Sequence, residues 1–422
     1  MEVVVLCVAV SVLAWVLLSR WLNRASVTAP IVLVLAGGFS AWVLDVKPNI
    51  AHSGGGLRAL AEFALAFVLF ADASRVSASW LRDQGLLPGR LLLIGLPLTL
   101  GLGILVAVWV FPGTNLWVLA VIGAALAPTD AALGASVLSD RRVPQRVRRV
   151  LNVESGLNDG LITPFVLFFL AAATAQEDRH SVSAAAEAAV REIVVGVVVG
   201  AVLGALAARA LRALDRREWI DRSVLQLGVF TLPLIAYAGT VAVGGNGFVA
   251  AFVAGLAYGN SRRDLADTAL DFEEDAGAIL SLAVWFFFGA LTLPSLGDGQ
   301  LVRACVYGVL SLTVIRALPV MLALFGSDLA RRDRWVIAWL GPRGLASVVF
   351  GLLATDELAA ADGLLVVQAV GVTVLLSVFL HGLTARPIAA GYGETAAMGE
   401  TSASADLPVR RPTPWQRFLP HR

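Results

Sequence analysis

Residues 116–138 read LWVLAVIGAALAPTDAALGASVL, and residues 154–173 read ESGLNDGLITPFVLFFLAAA. Each run is long and apolar enough to cross a bilayer, since roughly 20 helical residues span about 30 Å of hydrocarbon. Each also carries what hydrocarbon rejects: Asp130 in the first, Glu154 and Asp159 in the second. A charge near the centre of a span opposes insertion by about 2.5–3.5 kcal/mol, so the three carboxylates oppose it by roughly 8–10 kcal/mol before pairing. Carboxylates kept at that depth usually serve an ion or proton path. The chain reads as a transporter.

Composition points the same way. Hydrophobic residues make up 58% of the 422-residue chain and charged residues 15%, with a mean hydropathy of +0.80. A soluble domain carries about 45–50% apolar and 25% charged residues. The net charge of +1 excludes a general nucleic-acid binder. Cys7 and Cys305 both lie in apolar segments and lack metal-ligand spacing. The start, MEVVVLCVAVSVLAWVLL, has no basic n-region and no small-residue cleavage site before Arg20, so it reads as a retained first span.

A window of about 19 residues finds roughly thirteen apolar segments. They centre near Leu13, Leu35, Phe67, Leu102, Ile122, Leu167, Val198, Leu232, Ala251, Trp285, Val314, Ala346 and Leu375; the second and ninth are short. Arg20 and Arg24, then Arg75, Arg82 and Arg90, then Arg141 to Arg149 fall in alternate loops. Arg209 to Arg222, Arg262 and Arg263, and Arg331 to Arg334 continue the series. The loops between them (PGTN, AVGGNG, LPSLGDG, TDELAAADG) are nearly free of Arg. The positive-inside rule then places the N-terminus outside and the C-terminus in the cytoplasm, which requires an odd number of spans. The expectation is a multi-pass protein of the cell membrane. Residues 1–388 would form its transmembrane domain and residues 389–422 a short disordered cytoplasmic tail.

Two spans are interrupted alike. The fifth carries Ala127-Pro128-Thr129-Asp130, and the twelfth carries Trp339-Leu340-Gly341-Pro342-Arg343-Gly344. Proline removes a backbone donor and clashes with the preceding turn, and glycine weakens a helix further. Unwound backbone at membrane depth survives only where protein buries it or it lines a watery cavity. Broken helices at corresponding positions of two halves point to inverted repeats with a binding site at the midplane. The fold class expected is therefore an all-α polytopic membrane protein of about 13 helices, with two crossed broken helices. A six-helix core bundle would hold the site, and a second bundle would act as its scaffold.

The sixth span opens Asn152-Val153-Glu154-Ser155-Gly156-Leu157-Asn158-Asp159-Gly160. Ser155, Asn158 and Asp159 stand at i, i+3 and i+4 and share a helical face. That face offers a hydroxyl, an amide carbonyl and a carboxylate, to which Thr129 adds a hydroxyl and a carbonyl freed by the proline break. Oxygen ligands of this kind suit a small hard cation, whereas soft metals want sulfur or imidazole. A carboxylate that binds either a proton or a cation, never both, is enough to couple their opposite movements. The plainer reading of Ser155 and Asn158 is interhelical hydrogen bonding.

These residues also carry a resemblance. APTD, ESGLNDG, GFVAAFVAGLAYGN, Arg316-Ala317-Leu318-Pro319-Val320, GPRG and HGLTARP occur in one order between about Pro30 and Pro387. In this the chain resembles the NhaP-type sodium/proton antiporters of the monovalent cation:proton antiporter superfamily, as does its third span, LAEFALAFVLFADASRVS. The resemblance implies that Asp159 is the cation- and proton-binding carboxylate, with Thr129 and Ser155 as ligands and Asp130 close by. Asn158 stands where electrogenic relatives have a second aspartate, which implies electroneutral exchange. It further implies a structural ion pair between Glu154 and Arg316, a contribution of Asp72 to the cation site, and a homodimer formed through the scaffold. No cofactor is implied beyond the transported Na+ (or Li+ or K+) and H+. Arg343, at the second break, is placed to offset the carbonyl-rich end of a half-helix.

Other polar features take plainer readings. Glu62 reads as a helix-end or interface residue, and His381 as a packing residue despite its titration range. Gly255 and Gly259 read as close helix packing, and Arg262 to Asp275 as either an amphipathic surface linker or a solvated loop. Trp21, Trp80, Trp219 and Trp335 read as interface anchors. Three function classes stay open on the residues alone. They are an antiporter moving sodium or lithium out against protons, a potassium exchanger or channel on the same scaffold, and a polytopic membrane enzyme. No His-rich or metal-ligating cytoplasmic motif supports the last, and no phosphate-cradling GxxxxGKS exists for a pump.

Overall fold

The computed structural model describes residues 2–24, 27–44, 54–131, 133–177, 181–261, 270–297 and 300–392. No strand occurs among them. The helices of the first half are α1 (Glu2–Arg24), α2 (Ala29–Val43), α3 (Gly54–Ser74), α4 (Leu86–Val110), the broken α5a (Leu116–Ala125) and α5b (Ala135–Leu138), and α6 (Gln145–Glu177). After α7 (Val182–Arg216) come α8 (Arg222–Ala242), α9 (Gly247–Ser261), α10 (Asp271–Ser295) and α11 (Leu301–Ala323). The broken α12a (Arg331–Trp339) and α12b (Leu345–Glu357) precede α13 (Ala360–Gly391). Every expected centre falls within this series. Among the described residues, eight helices are long and apolar enough to cross a membrane. The segments expected to be short, α2 and α9, have 15 residues each.

Prolines and glycines set the interruptions. Pro128 follows the end of α5a and Pro342 the end of α12a, so each helix stops where a backbone donor is missing. In α4 a π-turn at Leu91–Gly95 precedes Pro97; the wider turn eases the clash of the ring with the carbonyl four residues back.

The helices pack as two bundles. In one, α4, α5, α6, α11, α12 and α13 touch one another; in the other, α1, α2, α3, α8, α9 and α10 do, and α7 lies on both α9 and α6. The pairings repeat between halves. Helix α2 lies on α10 as α9 lies on α3; α5a meets α13 as α12a meets α6; α5b meets α13 as α12b meets α6. Exchanging α1–α6 for α8–α13 maps each of these contacts onto its counterpart. Corresponding helices are seven apart in the series and so run in opposite senses, which makes the repeat inverted. A Cβ on Gly255 or Gly259 would strike the backbone of Phe70 or Ser74, so α9 seats directly on α3, as the GxxxG spacing suggested.

One stretch departs from the sequence reading. Asp271 to Asp275 form the first turn of α10 rather than a surface linker, while 262–269 lie outside the described residues. Of the expected tail, 389–391 complete α13, and 393–422 lie outside the described residues.

Candidate functional site

The unwound segments of α5 and α12 meet inside the first bundle. The Asp130 amide donates to the Pro342 carbonyl at 2.8 Å, a main-chain hydrogen bond between the two breaks. A Cβ on Gly344 would fall onto the Asp130 carboxylate, so only glycine allows this approach. Each half-helix end carries roughly half an elementary charge from unpaired peptide groups. At the negative end of α5a, Arg343 Nη1 donates to the carbonyls of Ala127 (2.7 Å) and Pro128 (3.0 Å). At the positive end of α12b, the Leu345 amide donates to Asp130 Oδ2 at 3.3 Å. Arg343 is fully buried, and its Nη2 also reaches the Ser311 carbonyl (3.3 Å). One cation and one anion thus replace the water that would otherwise satisfy the breaks.

Helix α6 presents its polar motif to this crossing. Ser155 Oγ donates to the Thr129 carbonyl and accepts from the Ala131 amide, both at 2.7 Å, and so splints the α5 break on either side of Asp130. Asn158 Nδ2 donates to Thr129 Oγ1 at 2.8 Å. The buried Asn158 Oδ1 has no hydrogen-bond partner, leaving a desolvated acceptor beside the break. On its opposite side α6 turns toward the second bundle. Gly156 faces Asp72 of α3, and a Cβ on Gly160 would strike the Phe252 ring of α9. At about 100° per residue, Asp159 falls between the Ser155–Asn158 side and the Gly156–Gly160 side. Its carboxylate therefore stands at the seam between the bundles, 7% exposed. Asp72, half-buried, lies on the scaffold side of the same seam.

Glu154 lies on the flank of this face that meets α11, beside the α12 break. Arg316 of α11 donates to it through Nη1 (2.5 Å) and Nη2 (2.9 Å), a bidentate pair in which both residues are buried. Arg316 also approaches the Ile337 carbonyl near the end of α12a (3.4 Å), and a Cβ on Gly341 would crowd its guanidinium. His381 serves the same break: Nε2 lies 2.9 Å from the Trp339 carbonyl and Nδ1 3.2 Å from Ser377 Oγ. Ser377 Oγ in turn accepts the Arg343 amide at 2.7 Å. Nδ1 also lies 3.0 Å from the Ser377 carbonyl, so the ring is held on both sides. A narrow cleft reaches the crossing, lined among others by Thr129, Asp130, Leu138, Leu151, Ser155 and Leu340. Its walls come from α5b, the first turns of α6 and the end of α12a, so it opens toward the Arg-rich end of the molecule.

The structure thus brings Thr129, Asp130, Ser155 and Asn158 into one hydrogen-bonded group with Asp159 one turn beyond Ser155. Asp72 lies across the seam, and Glu154 with Arg316 forms a separate pair. Among the described residues no cluster of three or more His, Cys, Asp or Glu could hold a metal ion. Ser377 and the main-chain carbonyl of Ser311, which hold Arg343, escaped the sequence reading because neither an isolated serine nor a backbone carbonyl in an apolar span carries a pattern. Glu273 escaped it too. It is fully buried in the first turn of α10 and neither carboxylate oxygen has a hydrogen-bond partner; its acidic neighbours had suggested a surface.

Comparison with known proteins agrees with this architecture. Residues 8–391 match the family described as sodium/hydrogen exchanger, transmembrane. The chain is 27% identical over 337 residues to the K(+)/H(+) antiporter NhaP of Alkalimonas amylolytica, covering 78% of this chain and 56% of that protein. It is 27% identical over 297 residues to the K(+)/H(+) antiporter NhaP2 of Shewanella sp. (strain ANA-3), covering 69% and 50%. The chain therefore spans about half the length of the curated relatives it matches. The solved structure of the sodium proton antiporter MjNhaP1 from Methanocaldococcus jannaschii at pH 8 superposes with a TM-score of 0.76 at 21% identity, over 93% of this chain and 99% of that one. That is a likeness of fold.

Proposed function

This chain belongs to the transmembrane sodium/hydrogen exchanger family, and we propose that it exchanges a monovalent cation for a proton, with Asp159 as the shared carrier. The observation that carries the reading is the position of Asp159 on the seam, beside oxygen groups of the broken α5. A carboxylate there is offered to one side or the other as the core bundle moves against the scaffold. Thr129, Ser155 and Asn158 supply neutral oxygens, Asp130 and Arg343 balance the half-helix ends, Glu154 and Arg316 brace α6 against α11, and Asp72 adds negative potential from α3. The cleft is the cytoplasmic approach, with the N-terminus outside and the C-terminus inside the cell membrane. Two copies pair through the scaffold helices α1, α2, α7 and α8.

The cycle follows from competition at one group. A cation from the cytoplasm enters the cleft, displaces the proton from Asp159 and takes up neighbouring oxygens. The core moves, the cation leaves outside, and a proton takes its place for the return. With Asn158 unable to carry a second proton, one monovalent charge moves each way and exchange is electroneutral. Sodium or lithium is the favoured cation. Potassium is the second reading, supported by the K(+)/H(+) names of the two relatives.

Purified protein in liposomes tests the whole reading. Sodium, lithium or potassium gradients should each be scored for the proton flux they drive, and Asp159→Asn should abolish it while keeping the thermal transition. Appreciable flux in Asp159→Asn would remove Asp159 from its role, and flux with potassium alone would decide for the second reading.

A further inference from the structure

At the end of the molecule opposite the cleft, one ion pair joins the two bundles. Arg58 lies near the start of α3, in the scaffold, and Glu357 is the last residue of α12b, in the core. Arg58 Nη1 lies 2.9 Å from Glu357 Oε1. Its Nε donates to Glu62 Oε1 at 2.8 Å, one turn along α3. The hydroxyl of Tyr237, from α8, faces Glu62, and Asp356 adds a third carboxylate to the group. By contrast Arg75 pairs with Glu274 within the scaffold, and Arg316 with Glu154 and Arg146 with Asp328 within the core.

We propose that Arg58 is a latch that holds the far end of the transporter shut while the cleft is open. The inference rests on the exchange reading above, in which core and scaffold shift against each other. Any contact across their boundary must then break once per cycle, and the Arg58–Glu357 contact is built to break. Its side chains are 39% and 43% exposed, so water can take up both charges as they part. The Arg316–Glu154 pair, at 5% and 4%, lacks that option and never leaves the core. Glu62 retains the guanidinium on α3 when Glu357 departs, so the latch is ready to re-form. The cleft and the latch lie at opposite ends, as alternating access requires of one state.

A part-exposed ion pair shifts an equilibrium by about two- to fivefold. Arg58→Gln and Glu357→Gln should each favour the opposite state by that factor. The apparent KM for the cation at the latch side should fall about two- to fivefold and that at the cleft side should rise by a similar factor. The charge swap Arg58→Glu with Glu357→Arg re-forms the pair, with Glu62 still beside it, and should return both values toward the parent. Hydrogen–deuterium exchange of the intact protein in nanodiscs reads the latch without transport: the last turn of α12b should exchange faster in each single variant and recover in the swap. If neither exchange nor either KM moves in the single variants, or if the swap is as perturbed as both singles together, the latch is refuted. If the parent protein drives no proton flux, the exchange reading fails; the deuterium result then still decides whether Arg58 tethers the bundles.

Discussion

Separating Glu154 from Arg316 is the sharpest test of how the core bundle is held together. The two residues are 3% and 4% exposed, and two hydrogen bonds of 2.5 and 2.9 Å join them. Removing one partner of such a pair typically costs about 3–5 kcal/mol, because the other charge is left buried without compensation. Removing both leaves no stranded charge, so Glu154→Ala with Arg316→Ala should fall short of the sum of the single losses by about 1–3 kcal/mol. The single variants should also differ from each other. A stranded carboxylate can be discharged by a proton, whereas a guanidinium stays charged at any accessible pH. Arg316→Ala should therefore lose less at pH 5 than at pH 8, while Glu154→Ala loses the same at both. Thermal scans in one detergent at a fixed heating rate give all of these values. Strict additivity, or equal pH behaviour of the two single variants, would refute the reasoning.

Three further outcomes are expected. Gly344→Ala places a methyl on the Asp130 carboxylate and should cost about 1–3 kcal/mol, the usual penalty of overpacking, and suppress exchange; thermal scans with liposome flux check it, and parent-like values in both would mean the crossing is looser than described. The exchange rate in liposomes should not respond to a membrane potential set with potassium and valinomycin, since Asn158 carries no proton. A clear response would point to a second proton carrier. In the loop before α6, hydrogen bonds from Arg142 hold the Asp140 carboxyl below the ordinary aspartate range. A depressed folded value contributes stability above the unfolded pKa and loses it as pH falls through the folded one. Asp140→Asn should melt slightly below the parent at pH 7 and level with it once acid protonates Asp140, which scans from pH 7 to 3 will show.

Much of the architecture was legible because the bilayer is so demanding a solvent. Apolar runs of the required length located all thirteen segments, and Pro128 and Pro342 located the breaks. The helical spacing of Ser155, Asn158 and Asp159 placed them together. What stayed hidden were contacts between distant residues with no local pattern. The carbonyls that receive Arg343, the service of His381 to the α12 break, and the meeting of Arg58 with Glu357 all depend on how helices cross. Glu154 with Arg316 was anticipated through family resemblance rather than spacing. Asp271 to Asp275 misled because a cluster of acids normally marks water, yet Glu273 is fully buried.

The hydrogen bonds from Arg343 to Ala127 and Pro128 span 216 and 215 residues of chain. At a synthesis rate of about 5–20 residues per second, roughly 10–40 s separate the emergence of the α5 break from that of the guanidinium that satisfies it. During that interval the first repeat has its unwound carbonyls but not the partner built for them, and the insertion machinery or trapped water must shelter them. Damage at Arg343 would then show first as poor biogenesis, in the amount of protein that reaches the membrane, before any measurement of transport is possible.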